Sequence, residues 1–172
     1  VGTVNGDSIT FGSNILFNSG LSSWVAMAYD SSNDKLVIAY RGAASTYYGK
    51  AIVGTVSGNS ITFGSAATFQ SSHSLNIAMS FDSGSGKVVI IFRDNDASGY
   101  GKAVVGTVSG TSISFGSVTT FNSGDTYDTA ITYDSTNNKT VIFYRDGGNS
   151  NYGTARVGTV SGTSISFGSE VI

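Results

Sequence analysis

Residues 53–65 read Val-Gly-Thr-Val-Ser-Gly-Asn-Ser-Ile-Thr-Phe-Gly-Ser, and the organisation of the chain follows from where that stretch returns. Val-Gly-Thr-Val begins at Val1, Val53, Val105 and Val157, and Phe-Gly-Ser at Phe11, Phe63, Phe115 and Phe167, a period of 52 residues without insertion or deletion. A fixed period of this length identifies a tandem array of one supersecondary unit. Two short runs of Val, Ile, Thr and Phe on either side of Ser-Gly read as strands joined by a tight turn.

Working outward through one period, the second copy predicts four strands, at 76–81, 87–93, 100–108 and 112–121. Compact turns at 82–86 and 109–111 alternate with longer loops at 94–99 and 122–128, so the unit is expected to be an antiparallel meander. No window carries a 3.6-residue period. The second strand of each copy, Leu36-Val37-Ile38, Val88-Val89-Ile90 or Thr140-Val141-Ile142, is apolar with little alternation, as expected of a sheet covered on both faces. The first strands carry Ala26, Ala78 and Ala130 between larger residues, which suits a crowded axis. Gly64 interrupts the fourth strand in the manner of a bulge on an outer edge.

Four-stranded units of this size in tandem resemble the blades of β-propellers, without matching one propeller family. The resemblance implies an all-β fold of four-stranded antiparallel blades, with an incomplete ring in one chain because propellers close with four to eight blades. The domain reading is a single repeat array over 1–172: a partial blade at 1–17 holding a third and a fourth strand, then blades at 18–69, 70–121 and 122–172. Three first-and-second strand pairs against four hairpins, and an opening at Val1, suggest an excerpt of a longer array or a processed product. Missing blades would come from the parent chain or from homo-oligomerisation.

Composition narrows the function classes. The chain has 172 residues, 12% of them charged, with a formal net charge of -2 and no cluster of Lys or Arg, which argues against nucleic acid and anionic lipid as partners. Zero Cys leaves no disulfide framework and no thiolate metal site. No apolar run approaches a membrane span, so membrane insertion is not expected. The reading favours an extracellular or surface-associated protein.

Comparison of the copies suggests where recognition would occur. The tight turns barely change, whereas residues 21–24, 73–76 and 125–128 differ, as do 42–47, 94–99 and 146–151. Both variable sets fall at one end of the meander, as separately adjusted binding loops would, although loops also drift because they tolerate change. Trp24, Tyr47, Asn76, Tyr127 and Asp128 lie there. Aromatic faces beside Asn, Asp and Ser suit sugars, the ring covering an apolar sugar face while polar groups take hydroxyls. Tyr48 recurs as Tyr100 and Tyr152 and so reads as a packing residue. Arg41, Arg93 and Arg145 end the second strands beside this rim. They are candidates for bidentate contact with a carboxylate or sulfate, or else for structural pairing with Asp94, Asp146 or a loop carbonyl.

Catalytic chemistry is sparse. His73 is the only His and Glu170 the only Glu; the other acids are Asp in turns and loops, and no spacing singles out a glycosidase pair. Residues 80–84 bear a faint likeness to the Asp-box turn of sialidases but lack its aromatic residue, so Asp30, Asp82 and Asp134 read as Asx-type turn residues. Asp94, Asp96 and Ser98 resemble the first half of a calcium loop, yet the distal ligand position holds Val105 and the sister loops do not repeat it, so calcium is a weak candidate. The Gly84-Ser85-Gly86-Lys87 stretch lacks the spacing of a phosphate loop. The expectation is a non-catalytic recognition or display module without a cofactor, binding glycans through the variable rim. The alternatives are a structural segment of a large adhesin, fibre or virion protein and, last, a propeller-type glycoside hydrolase.

Overall fold

The computed structural model describes residues 1–43 and 46–172, and is all-β with 14 strands among the described residues. An N-terminal hairpin of β1 (Gly2–Asn5) and β2 (Ser8–Phe11) forms a two-stranded sheet of its own. The first full repeat comprises β3 (Leu21–Asp30), β4 (Lys35–Ala43), β5 (Tyr48–Ser57) and β6 (Ser60–Phe63). The second comprises β7 (Ala67–Asp82), β8 (Lys87–Asp94), β9 (Tyr100–Ser109) and β10 (Ser112–Phe115), with a 3-10 turn at Asn95–Ala97. The third comprises β11 (Thr119–Asp134), β12 (Lys139–Asp146), β13 (Tyr152–Ser161) and β14 (Ser164–Phe167).

Separate four-stranded blades of a propeller are not what these strands form. All strands from β3 to β14 join one antiparallel sheet of 12 strands, which does not close. The reason lies in β7 and β11. The first part of β11 pairs with β9, Thr119 with Ala103 and Asp125 with Tyr100, and its second part pairs with β12, Thr126 with Asp146 through Asp134 with Lys139. β7 bridges β5 and β8 in the same way. Residues 122–128, expected as a loop, therefore belong to strand β11, and the expected fourth strand at 112–121 is divided between β10 and the start of β11.

The backbone can remain in the ladder there because side chains hold its irregularities. Asn122, buried, donates through Nδ2 to Thr126 Oγ1 (3.1 Å) and to Asp146 Oδ1 (3.0 Å), and its own Oδ1 accepts from Gly124 N (2.9 Å). Satisfying these polar groups locally removes the reason to expose the segment as a loop.

Although hydrogen-bonded into one sheet, successive repeats share apolar cores. Val37, Ala39, Ala51 and Val53 pack in one cluster with Met79, Ile90 and Phe92. Val89, Ile91 and Val105 pack in another with Phe121, Ile142 and Tyr144. The run from Val88 to Phe92 is completely buried, as its unbroken hydrophobicity predicts. The alternating strand sends Val89 and Ile91 to one cluster and Val88, Ile90 and Phe92 to the other. The small residues Ala26 and Ala28 of β3 border the first cluster and Ala78 of β7 the second, so these alanines make room between repeats rather than around an axis.

The Phe-Gly-Ser signature has a related cause. A Cβ on Gly64 would stand 2.0 Å from the carbonyl oxygen of Thr111, and one on Gly116 1.8 Å from that of Thr163. These glycines end strands and admit the hairpin of the following repeat; they do not form bulges. The turns between the first and second strands of the three repeats have the same length and are held by their Asp: Asp30 Oδ1 accepts from Ser32 N and Asn33 N, Asp82 Oδ1 from Ser85 N, and Asp134 Oδ1 from Thr136 N and Asn137 N.

Candidate functional site

The end of the sheet opposite those Asp turns carries the variable residues, and its geometry is set by one irregularity used three times. The register of the first strand against the second shifts between Ser23 and Ala26, between Leu75 and Ala78, and between Tyr127 and Ala130. At the first residue inside each shift the backbone turns left-handed: Trp24 at φ 52, Asn76 at 47 and Asp128 at 49. Asn and Asp enter this region readily because their short polar side chains bond locally, whereas a bulky residue there is an outlier. Trp24 is also 47% exposed, so core packing does not account for it.

Tyr47 repeats the anomaly. It lies at φ 52 and exposed, and the residues one and two periods on are Gly99 at φ 76 and Asn151 at φ 60. Both conspicuous aromatics of the first repeat thus occupy positions where the later repeats use residue types suited to left-handed backbone. Strain of about 1–3 kcal/mol per site persists only where the surroundings enforce it, and it concentrates at functional sites.

Around Tyr47 the side chains interlock. Its ring stacks on His73, centroids 4.7 Å apart at 26°, and the Arg41 guanidinium lies over the same ring at 5.0 Å. Arg41 Nε donates to Ser23 Oγ (2.8 Å), and Arg41 Nη1 lies 3.0 Å from His73 Nε2. His73 is therefore held between repeats. Its backbone N–H donates to Asp96 Oδ2 (2.9 Å). Among the described residues no carboxylate pairs with Arg41.

Arg93 and Arg145 are differently satisfied. Arg93 donates through Nε (2.9 Å) and Nη2 (2.7 Å) to Asp125 Oδ1, and Arg145 through Nε to Asp128 Oδ2 (2.9 Å) and through Nη1 to Asn151 Oδ1 (2.6 Å). Tyr127 lies between them, its ring 5.0 Å from Arg93 and 4.3 Å from Arg145, and its hydroxyl donates to Asp125. The arginines do not pair with Asp94 or Asp146, and they do not form a ring open to one ligand. Slight loss of solvent raises the Asp125 carboxyl, but the hydrogen bonds from Tyr127 and Arg93 together with the Arg93 charge outweigh it, so its pKa lies below the ordinary value. Tyr127 is shifted upward, first because its hydroxyl donates to Asp125.

Of the sequence candidates, Arg41 and Tyr47 are brought together, with Trp24 beside Ser23 on the same rim. Arg93, Arg145, Tyr127 and Asp128 form a second group, internally paired. Asn76 lies at the left-handed position of β7, and its carbonyl accepts from Thr129 of the next repeat. The weak calcium candidates are otherwise engaged: Asp94 is buried and accepts from Ser72 Oγ (2.7 Å) and Gln70 Nε2 (2.9 Å), while Asp96 accepts from His73. Ser98 occupies the left-handed cap of the 3-10 turn. Among the described residues no three His, Cys, Asp or Glu side chains cluster for a metal.

Sequence reasoning missed Gln70 and Asn122, which tie the long strands to Asp94 and Asp146, and it missed His73 as the partner of Arg41. The first had a legible signal, since Asn18, Gln70 and Asn122 place an amide at every period. The second had none, because His73 replaces Leu21 and Asp125 at a position that varies in every copy. Compared with protein-family models, with curated proteins and with solved structures, the chain matches none.

Proposed function

We propose that the chain is a non-catalytic recognition module whose variable rim binds carbohydrate, with the Trp24 and Tyr47 side of the first repeat as the contact surface. The observation that carries this reading is Trp24, an exposed indole on left-handed backbone where the sister repeats have Asn76 and Asp128. An exposed ring gains little from packing, so the strain finds its return in something the ring contacts from solution. A rigid aromatic plane beside hydroxyl, imidazole and guanidinium groups supports a sugar, whose C–H face lies on the ring while its hydroxyls bond the edge groups.

Arg41 narrows the class. With the Tyr47 ring, the Ser23 hydroxyl and the His73 imidazole as partners and no paired carboxylate among the described residues, its charge is uncompensated, unlike that of Arg93 or Arg145. Glycans bearing a carboxylate or sulfate are therefore favoured over neutral ones, through charge-assisted hydrogen bonds.

A glycan array followed by titration calorimetry tests the proposal. Acidic oligosaccharides are expected to bind, and Trp24→Asn should lose at least tenfold in affinity while stabilising the fold by about 1 kcal/mol through relief of backbone strain. No binding to any glycan, or binding indifferent to Trp24, would sink it.

A further inference from the structure

The two interior junctions between repeats define what covers each face of a repeat, and the two ends of the array present the same faces uncovered. In the interior, the β7 side chains Ile77 and Met79 pack into the cluster bordered by Ala26 and Ala28 of β3. Met79 is 8% exposed; Met27, one period earlier, is 68% exposed, and Val25 and Tyr29 beside it are exposed as well. At the other end, Ile91 and Val105 are completely buried beneath the third repeat, whereas their counterparts Phe143 (50%) and Val157 stand exposed. Beside these, the small residues Ala130 and Thr132 of β11 are open, at the positions of Ala26 and Ala28 two periods before.

We propose that two copies of the chain associate head to tail, the Phe143 and Val157 face of one seating the Val25, Met27 and Tyr29 face of the other. The warrant is continuity with an interface this sequence already makes twice: knobs on one first strand against alanines on the preceding one. Knobs at one end and small residues at the other are complementary and are not the same patch, so the contact is heterologous and able to propagate. Gly168 has the corresponding vacancy. Gly64 and Gly116 each meet the carbonyl of the next hairpin, while a Cβ on Gly168 would find nothing nearer than 3.7 Å.

One element competes with this contact. A Cβ on Gly12 would stand 1.9 Å from the Asn59 carbonyl oxygen, so the β1–β2 hairpin occupies the place that the β13–β14 hairpin of a neighbour needs. The hairpin has its eight strand residues exposed and no ladder to the large sheet, so it is the part that moves aside.

Sedimentation velocity on the full chain across micromolar concentrations tests this. Species heavier than the 17.7 kDa chain should appear as concentration rises. Met27→Glu alone and Phe143→Glu alone should each stay single, and an equimolar mixture of the two should give a dimer and nothing larger, since each retains one competent end. Gly12→Ala, which dislodges the hairpin, should strengthen association at least threefold. Circular dichroism establishes that each variant keeps its strands, and Met27→Lys with Val157→Lys serves as a second pair. A wild-type chain that stays single, a mixture that fails to pair, variants that associate on their own, or indifference to Gly12→Ala would each overturn the proposal.

Discussion

The junction between the first and second repeats and the junction between the second and third are built alike inside and differently at the rim. Inside, each unites apolar residues of consecutive repeats and admits a neighbouring hairpin through a glycine, Gly64 or Gly116. At the rim, Arg93 reaches Asp125 of the following repeat, whereas Arg41 reaches His73, the residue at the same position one period earlier. Gly99 goes with the difference: a Cβ there would stand 2.0 Å from Asp125 Oδ1 and 2.8 Å from Arg93 Nη2, so this ion pair uses the space the glycine leaves, and Tyr47 in its place goes with an imidazole stack. One scaffold thus tolerates two chemistries at its edge because the energy that joins repeats lies in the interior.

That division predicts an equal response inside and an unequal one at the rim. Gly64→Ala and Gly116→Ala should each cost about 3 kcal/mol, because the offending atom is a backbone carbonyl that cannot rotate away. Gly168→Ala, whose Cβ would make only an ordinary contact with the Val157 carbonyl oxygen at 3.7 Å, should remain within about 0.5 kcal/mol of wild type. Urea unfolding of the three variants measures this. A costly Gly168→Ala, or an interior pair differing by more than a factor of two, would break the equivalence of the junctions.

At the rim the expected effects are smaller and asymmetric. The Arg93 side chain is largely buried and makes two bonds to a carboxylate, so Arg93→Ala should cost about 1.5–3 kcal/mol, much of it from leaving Asp125 unpaired. Arg41→Ala removes hydrogen bonds to the Ser23 hydroxyl and the His73 imidazole and one cation–π contact, leaves no carboxylate behind among the described residues, and should cost only about 0.5–1.5 kcal/mol. Equal costs in urea unfolding would mean that Arg41 is as structural as Arg93, and would remove the uncompensated charge from the functional reading.

The same contrast explains what was legible beforehand. Period, strand number, turn positions and the buried run Val88 to Phe92 follow from local pattern, since turn residues and alternation act within a few positions. Continuity of β7 and β11 was not legible, because Asn122 and Gly124 resemble loop residues until Gly124 donates to Asn122 and Asn122 in turn donates to Asp146, far along the chain. Trp24 was visible as the lone indole, but its significance depends on a dihedral angle that composition does not carry. The partners of the arginines were missed because His73 and Asp125 come to Arg41 and Arg93 from the next repeat and Asp128 comes to Arg145 from the neighbouring strand, whereas the acids next in sequence, Asp94 and Asp146, are turned inward.

The smallest effect separates the junctions by pH. A carboxyl whose folded pKa is depressed contributes stability that is fully present above its unfolded value, near 3.8, and is lost as pH falls through the folded value. Asp125 meets that description, while the first junction has His73, not a carboxyl, at the corresponding position. Tyr127 runs the other way: its pKa is raised, so its hydrogen bond to Asp125 contributes below the unfolded tyrosine value and disappears as alkaline pH ionises the ring. Stability of the wild type should therefore fall more steeply than that of Asp125→Asn both below about pH 4 and above about pH 10, with the two curves parallel between. Urea midpoints measured across that range decide the matter. Curves parallel throughout would show that the Arg93–Asp125–Tyr127 group adds nothing specific, and the two rims would then differ in residue identity without differing in electrostatics.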